Sequence, residues 1–221
     1  MLKAAIGLTN LVVVLGVVVF GSAGTFHFIE AWIFLGLFAA ASLAITLYLA
    51  SEDPALLARR TQAGPVAEKE RSQKIIQAVA SVSFLSTLAV PGLDHRFAVV
   101  QAPLAVIVAG DAMVLLGFLV VFLVFRENSF TSAVIEVFSE QRVIDSGPYA
   151  AVRHPMYAGA LVLVAGIPIA LGSLVGLATL PPFAAVIVWR LLDEERFLAG
   201  HLPGYAAYRQ KTRYRLIPRV W

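Results

Sequence analysis

Long apolar runs alternate with short polar segments along the chain. The runs at about 5–21, 29–50, 74–91 and 101–125 are each long enough for one membrane crossing, because a helix needs roughly 20 apolar residues to traverse about 30 Å of hydrocarbon. A fifth run, Tyr157 to Trp189, has no charged residue in 33 positions. As one helix it would measure about 50 Å, too long for a single span. The stretch ALGSLVG at 170–176 interrupts it near its middle, so two short helices forming a hairpin are expected. The pattern predicts an all-α polytopic integral membrane protein with four full spans plus a C-terminal helical hairpin. Residues 1–100 carry the N-terminal transmembrane helices, and 101–221 form a core that holds most of the polar motifs.

Composition agrees. Of 221 residues, 59% are hydrophobic and only 14% charged, against about 25% charged in a soluble domain. Cysteine is absent, which excludes disulfides, thiolate metal sites and a thiol nucleophile. Residues 1–23 have only Lys3 before a long apolar core and no small-residue cleavage site, so the first helix is expected to be retained. Basic residues orient the layout, since cytoplasmic loops collect Lys and Arg. With the N-terminus inside, every Lys and Arg of the 17 except Arg96, in the 91–98 loop, falls on the inner side. That distribution holds only if the fifth run crosses as a hairpin. Both termini are then cytoplasmic, in an inner membrane of bacterial type, and the polar segments share one face.

Three such segments stand out. In SEDPALLARRTQAGPVAEKERSQK, 51–74, Ser51 is a candidate cap for a short helix with Pro54 near its start; otherwise the stretch reads as a solvated loop on the headgroups. In the segment 126–155, GPY at 147–149 is a turn signal and RHP follows at 153–155. Pro155 pushes His154 out of the α region and starts a helix, whose free N–H groups and positive end suit an anionic group. Gly159 admits something close to that helix. In the third, WRLLDEERFLAGHLPGYAAY at 189–208, Arg190 and Glu194 share a helix face, and Glu195 points about 100° away. LPGYAAY reads as a turn into a short helix bearing Tyr205 and Tyr208. Trp221, ending RYRLIPRVW, is placed to anchor at the interface.

GPYAAVRHPMYAG, a charge-free hairpin, then EERFL and LPGYAAY resembles the C-terminal signature of the isoprenylcysteine carboxyl methyltransferase family, to which the phospholipid N-methyltransferases are related; the resemblance covers roughly 126–218. It implies an integral membrane enzyme using S-adenosylmethionine in a cytoplasmic pocket made by the C-terminal helices and loops, with no Rossmann domain. In keeping with this, no G-x-G-x-x-G follows a strand pattern. It places cofactor contacts on Gln141, Arg142, Val143, Ile144, Tyr149, His154, Pro155, Met156, Tyr157 and Glu194, and a substrate-orienting role on Arg190.

The chemistry suits these residue types. Methyl transfer from a sulfonium is an in-line displacement that needs two partners held in line and water excluded. The cofactor's ammonium and sulfonium favour Glu194 and the faces of Tyr149 or Tyr157, and its carboxylate favours the helix start near Arg153 and His154. A carboxylate acceptor needs orientation, which Arg190 can give; an amine acceptor needs a base, for which Glu195 is the first candidate. The acceptor must be lipidic or membrane-dissolved, because no soluble substrate domain exists, and no nucleic-acid partner or metal site is implied. Two other readings remain open from sequence: a nicotinamide-dependent membrane reductase of related topology, and a small transporter or scaffold. A transporter calls for ionisable groups deep in the membrane, where only Asp111 is a candidate.

Overall fold

The computed structural model describes residues 1–61, 71–97, 102–132, 134 and 141–221, and among these there is no β-strand. Four long helices come first, with one short helix between the second and third: α1 (Leu2–Ala23), α2 (Ile29–Glu52), α3 (Pro54–Arg60), α4 (Arg71–Phe97) and α5 (Leu104–Glu127). After a one-turn helix α6 (Pro148–Ala151) comes the hairpin: α7 (Pro155–Ala170), a 3₁₀ turn (Val175–Thr179) and α8 (Leu180–His201), followed by the short α9 (Tyr205–Lys211). Helices α1, α2, α4 and α5 and the unit Val175–His201 are long and apolar enough to cross a membrane, while α7 is shorter. The architecture is the expected all-α, polytopic one.

Local chemistry explains most boundaries. Gly24, with φ 69°, ends α1 in the left-handed conformation and donates its N–H to the Phe20 carbonyl. The hairpin turns at Gly172, with φ 72°, next to a Ser173 N–H that donates to the Pro168 carbonyl at 2.8 Å. Three expectations need correction. The cap of α3 is Asp53, which accepts the Leu56 N–H at 2.9 Å; Ser51 lies in the last turn of α2. Helix α4 does not stop at 91 but runs through a buried Pro91 to Phe97. Prolines are tolerated inside membrane helices because neighbouring helices re-satisfy the freed backbone groups. The hairpin's second helix is not short: α8 continues twelve residues past Trp189, through the charged stretch, to His201.

One buried cluster joins the elements, with Leu15, Phe34, Leu88, Val114 and Ile167 fully buried in it. The tightest packing is between α5 and α7. A Cβ at Gly110 would lie 2.2 Å from the Ala170 nitrogen, and one at Gly117 2.5 Å from the Leu163 Cβ. On the facing helix, a Cβ at Gly159 would be 2.9 Å from Val120 and one at Gly166 2.7 Å from the Gly110 carbonyl oxygen. Small residues seven apart on both helices let the backbones touch, as membrane helices do when lipid supplies no hydrophobic drive. The neighbour that Gly159 admits is therefore helix α5.

The bundle has two polar ends. At one, the Phe28 ring stacks on His95 at 3.8 Å and the Ser173 hydroxyl donates to Asp94 at 2.5 Å. The other gathers the start of α1, the α2–α3 junction, the ends of α5 and α8 and the starts of α4 and α7. Chain start and C-terminal tail meet the bundle at this second end. There α3 is no mere solvated loop: Leu56 is fully buried against Leu49 and Phe125, Arg59 donates to the Ser129 carbonyl, and Arg60 donates to that of Ser132 at 2.9 Å. The remainder of the 51–74 segment, 62–70, lies outside the described residues.

Candidate active site

At that end a cavity opens between the end of α5, the 141–149 segment, the start of α7 and the end of α8. Sequence order explains its polar lining. The apolar run of α5 gives way at Asn128, whose side chain accepts the Phe130 N–H at 2.9 Å and turns the chain. Gly147, at φ 54°, precedes Pro148 and starts α6, which presents Tyr149. Asn128 then donates to the Tyr149 hydroxyl at 3.0 Å, and burial pushes that phenol up to about 12. Gly204, at φ 84°, starts α9. There Tyr205 and Tyr208 pack against Leu202, Val143 and Leu198, and the Tyr208 hydroxyl donates to the Tyr149 carbonyl at 2.9 Å.

Of the residues singled out in the sequence, Gln141, Arg142, Val143, Ile144, Tyr149, His154, Met156, Tyr157, Arg190 and Glu194 all line this cavity. Pro155 does not; it is buried as the first residue of α7. Glu195 does not either. Its Oε1 accepts from the Arg153 Nε at 2.7 Å and lies 3.2 Å from the His154 Nε2, and its Oε2 accepts from the Arg215 Nε at 3.1 Å. Its side chain is 5% exposed. This clasp continues in the backbone: the Arg153 N–H donates to the Tyr214 carbonyl and the His154 N–H to that of Arg215, at 2.8 and 2.9 Å. The backbone N–H groups just before the start of α7 are thus engaged by the C-terminal tail, and Arg153 is a buried strut.

Arg190 and Glu194, one turn apart, are bridged by a tyrosine. The Arg190 Nε donates to the Tyr157 hydroxyl at 3.1 Å, and that hydroxyl donates to Glu194 Oε2 at 2.5 Å. The Arg190 Nη1 also donates to Gln73 Oε1 at 2.9 Å, and the Gln73 amide donates to Asp193. Gln73, 2% exposed at the start of α4, so ties the N-terminal helices to the cavity wall. Sequence reasoning missed Gln73, Asn128, Thr131, Ser132, Leu198 and Leu202 as site residues, and placed Tyr205 and Tyr208 on a short helix without a role.

The donor set can hold a cationic, partly polar ligand. Glu194 is the one carboxylate in the cavity wall among the described residues, beside the faces of Tyr149, Tyr157, Tyr205 and Tyr208. Two wall hydroxyls, Thr131 Oγ1 and Tyr205 Oη, are buried with no hydrogen-bond partner among the described residues. An unsatisfied buried polar group costs about 1–3 kcal/mol, so both are suited to meet a polar ligand. Residues 105–203 match the model of the phospholipid methyltransferase family. No curated protein matches the chain. The matched residues include GPYAAVRHPMYAG and EERFL, motifs on which the resemblance in the sequence rests. The matched stretch runs from α5 to just beyond α8 and so takes in the glycine-packed helix pair, Tyr149, the RHP turn and Arg190 to Glu195; α1–α4, α9 and the tail lie outside it. The match covers less than half of the chain and is a likeness to a family of phospholipid methyltransferases.

Proposed function

We propose that the protein transfers a methyl group from S-adenosylmethionine to a lipid-borne acceptor at the cavity. The observation that carries this reading is Glu194: a single carboxylate, held by the Tyr157 hydroxyl, in a wall of tyrosine faces and inside the methyltransferase-matched stretch. When bound, the cofactor supplies a sulfonium-activated methyl group. The ammonium would meet Glu194, and the cationic sulfur an aromatic face of Tyr149 or Tyr157. Tyr205 and Thr131 have hydroxyls to give to its polar parts. Arg190, fixed on two sides by Gln73 and Tyr157, is placed to orient the acceptor, and the close α5–α7 contact below the cavity keeps water out of the reacting end. Calorimetric titration of detergent-solubilised protein with S-adenosylmethionine checks the reading. Glu194→Gln keeps the shape and removes the charge, and should weaken binding by about 10- to 100-fold, the worth of a hydrogen bond to a charged group. Absence of binding by folded, monodisperse protein, or equal binding by the variant, would end this reading.

The cavity and both termini are proposed to face the cytoplasm, in a bacterial inner membrane. In support, α1 and the tail share the cavity end, and nearly all Lys and Arg belong to it. The chain has no cysteine, so single cysteines placed at Lys3 and Trp221 can be probed in intact cells with an impermeant thiol reagent. Both should be protected until the membrane is permeabilised; labelling of either in intact cells overturns this orientation.

A further inference from the structure

Arg60 stands between two concavities. Its Nη1 donates to the Ser132 carbonyl at 2.9 Å and touches the Met156 sulfur at 3.9 Å, and both of those residues are in the cavity wall. Arg60 itself does not line that cavity. It lines a separate groove of about 440 Å³ between α1, α2 and α5, together with Phe125, over whose ring its guanidinium sits at 5.1 Å. The groove walls are hydrocarbon, from Leu8, Leu11, Ile45 and Val121 among others, and Lys3 stands at the same end as Arg60. Among the described residues no carboxylate lines the groove and none pairs with Arg60. Burial pulls its pKa down, yet a guanidinium stays charged under any ordinary condition. A part-buried cation with only a carbonyl, a thioether and a ring for company is under-compensated, and an anion at this point would complete it.

The groove lies between membrane-crossing helices, so its occupant comes from the bilayer. The position of the cation restricts that occupant further. A lipid ending in a carboxylate acceptor has its charge on the reacting atoms, which must reach the cavity beside Arg190 and Glu194. The charge that Arg60 would meet lies short of the cavity, in the groove, between hydrocarbon and reacting head. A phosphodiester is the common lipid group with its charge there. We propose that this groove seats the hydrocarbon of the acceptor, and that Arg60, with Lys3, holds a phosphodiester while the lipid's head passes Met156 into the cavity. This assignment rests on the methyltransferase reading for the identity of the lipid as acceptor.

Photo-crosslinking on the full chain in neutral detergent, without cofactor, tests it. The probe is a phosphatidylethanolamine with a diazirine in one acyl chain; a diacylglycerol and a free fatty acid carrying the same diazirine are the comparisons. Adducts should map by mass spectrometry to the groove faces of α1, α2 and α5. The phospholipid should label at a concentration about tenfold below that of either comparison, as for one charge-assisted contact. Arg60→Gln should abolish that advantage while leaving diacylglycerol labelling unchanged, and Arg60→Lys should keep most of it. Gly7 lines the groove and has open space around an added Cβ, so Gly7→Leu should block labelling by all three probes without disturbing the fold. It carries the test should Arg60→Gln fail to fold. Equal labelling by the phosphate-free or fatty-acid probe, adducts scattered over the bundle, or undiminished labelling in Gly7→Leu overturns the proposal. Cofactor titration of the same samples keeps the two readings separate: groove labelling without cofactor binding removes the methyltransferase function and leaves the phospholipid site, whereas cofactor binding without selective labelling does the reverse.

Discussion

Glu195→Ala should destabilise the protein by about 3–5 kcal/mol, the loss typical of removing one partner from a buried charge cluster. Two guanidiniums and an imidazole converge on this one carboxylate, at 2.7, 3.1 and 3.2 Å. Without it the buried Arg153 is left without its anion, the buried His154 ring loses its carboxylate contact, and Arg215 loses the contact that holds the tail over residues 153 and 154. Unfolding in mixed micelles measures the loss. The same substitution should weaken the cavity's ligand binding, because the clasp fixes the RHP turn on which His154, Met156 and Tyr157 stand. Glu195→Gln separates this role from that of a general base. A base lost to Gln leaves stability and cofactor affinity intact and stops turnover alone. A clasp lost to Gln lowers stability and affinity together with turnover, since a neutral amide cannot balance the guanidiniums of Arg153 and Arg215. Wild-type stability in Glu195→Ala would refute the clasp.

The hairpin was legible because a bilayer imposes a length. A charge-free run of 33 residues cannot cross once, and Gly172 and Ser173 offer the turn. The same rule does not give the end of α8 at His201, although Arg190 and Glu194 could be set on one helix face. Charges begin at Arg190, which marks the edge of hydrocarbon, but RLLDEERFL is made of good helix formers and carries the helix on. Likewise Pro91 reads as a boundary in one sequence, yet it is buried inside α4. The α5–α7 seam left a trace in glycines seven apart, at 110 and 117 and again at 159 and 166, and only Gly159 was singled out.

The site divides in the same way. Tyr149, the RHP turn and Glu194 lie in short motifs whose residues are close in sequence, so a resemblance could carry them. Gln73, Arg60 and Thr131 reach the site through tertiary contacts from α4, α3 and the segment after α5, and nothing local in the chain marks their partners. Glu194 and Glu195 show the limit most clearly. Helical geometry says that adjacent carboxylates face about 100° apart. It does not say which one meets the cavity and which the clasp; that depends on where Arg153, His154 and Arg215 sit.

Arg190→Ala should lower turnover by about 10²–10³, the usual worth of one preorganised electrostatic contact at a reacting centre. Two accounts of that loss differ in the cofactor constant. If Arg190 orients the acceptor, cofactor affinity survives in Arg190→Ala and the loss falls on turnover. If instead Arg190 acts only as a frame, affinity and rate fall in parallel, because its Nε holds the hydroxyl that Tyr157 presents to Glu194. Geometry makes the lysine variant informative as well. Arg190 reaches Tyr157 through Nε and Gln73 through Nη1, two donors fixed in one plane. Lysine brings a single ammonium that cannot reproduce the fork, so Arg190→Lys should rescue little. Gln73→Leu isolates the frame: it removes the Nη1 acceptor and leaves Arg190 its charge. Under the acceptor-orienting account Gln73→Leu costs much less than Arg190→Ala, with cofactor affinity preserved in both. Full activity in Arg190→Lys, or parallel loss of affinity and rate in Arg190→Ala, removes the acceptor-orienting role and leaves Arg190 as the link between α4, Tyr157 and Glu194.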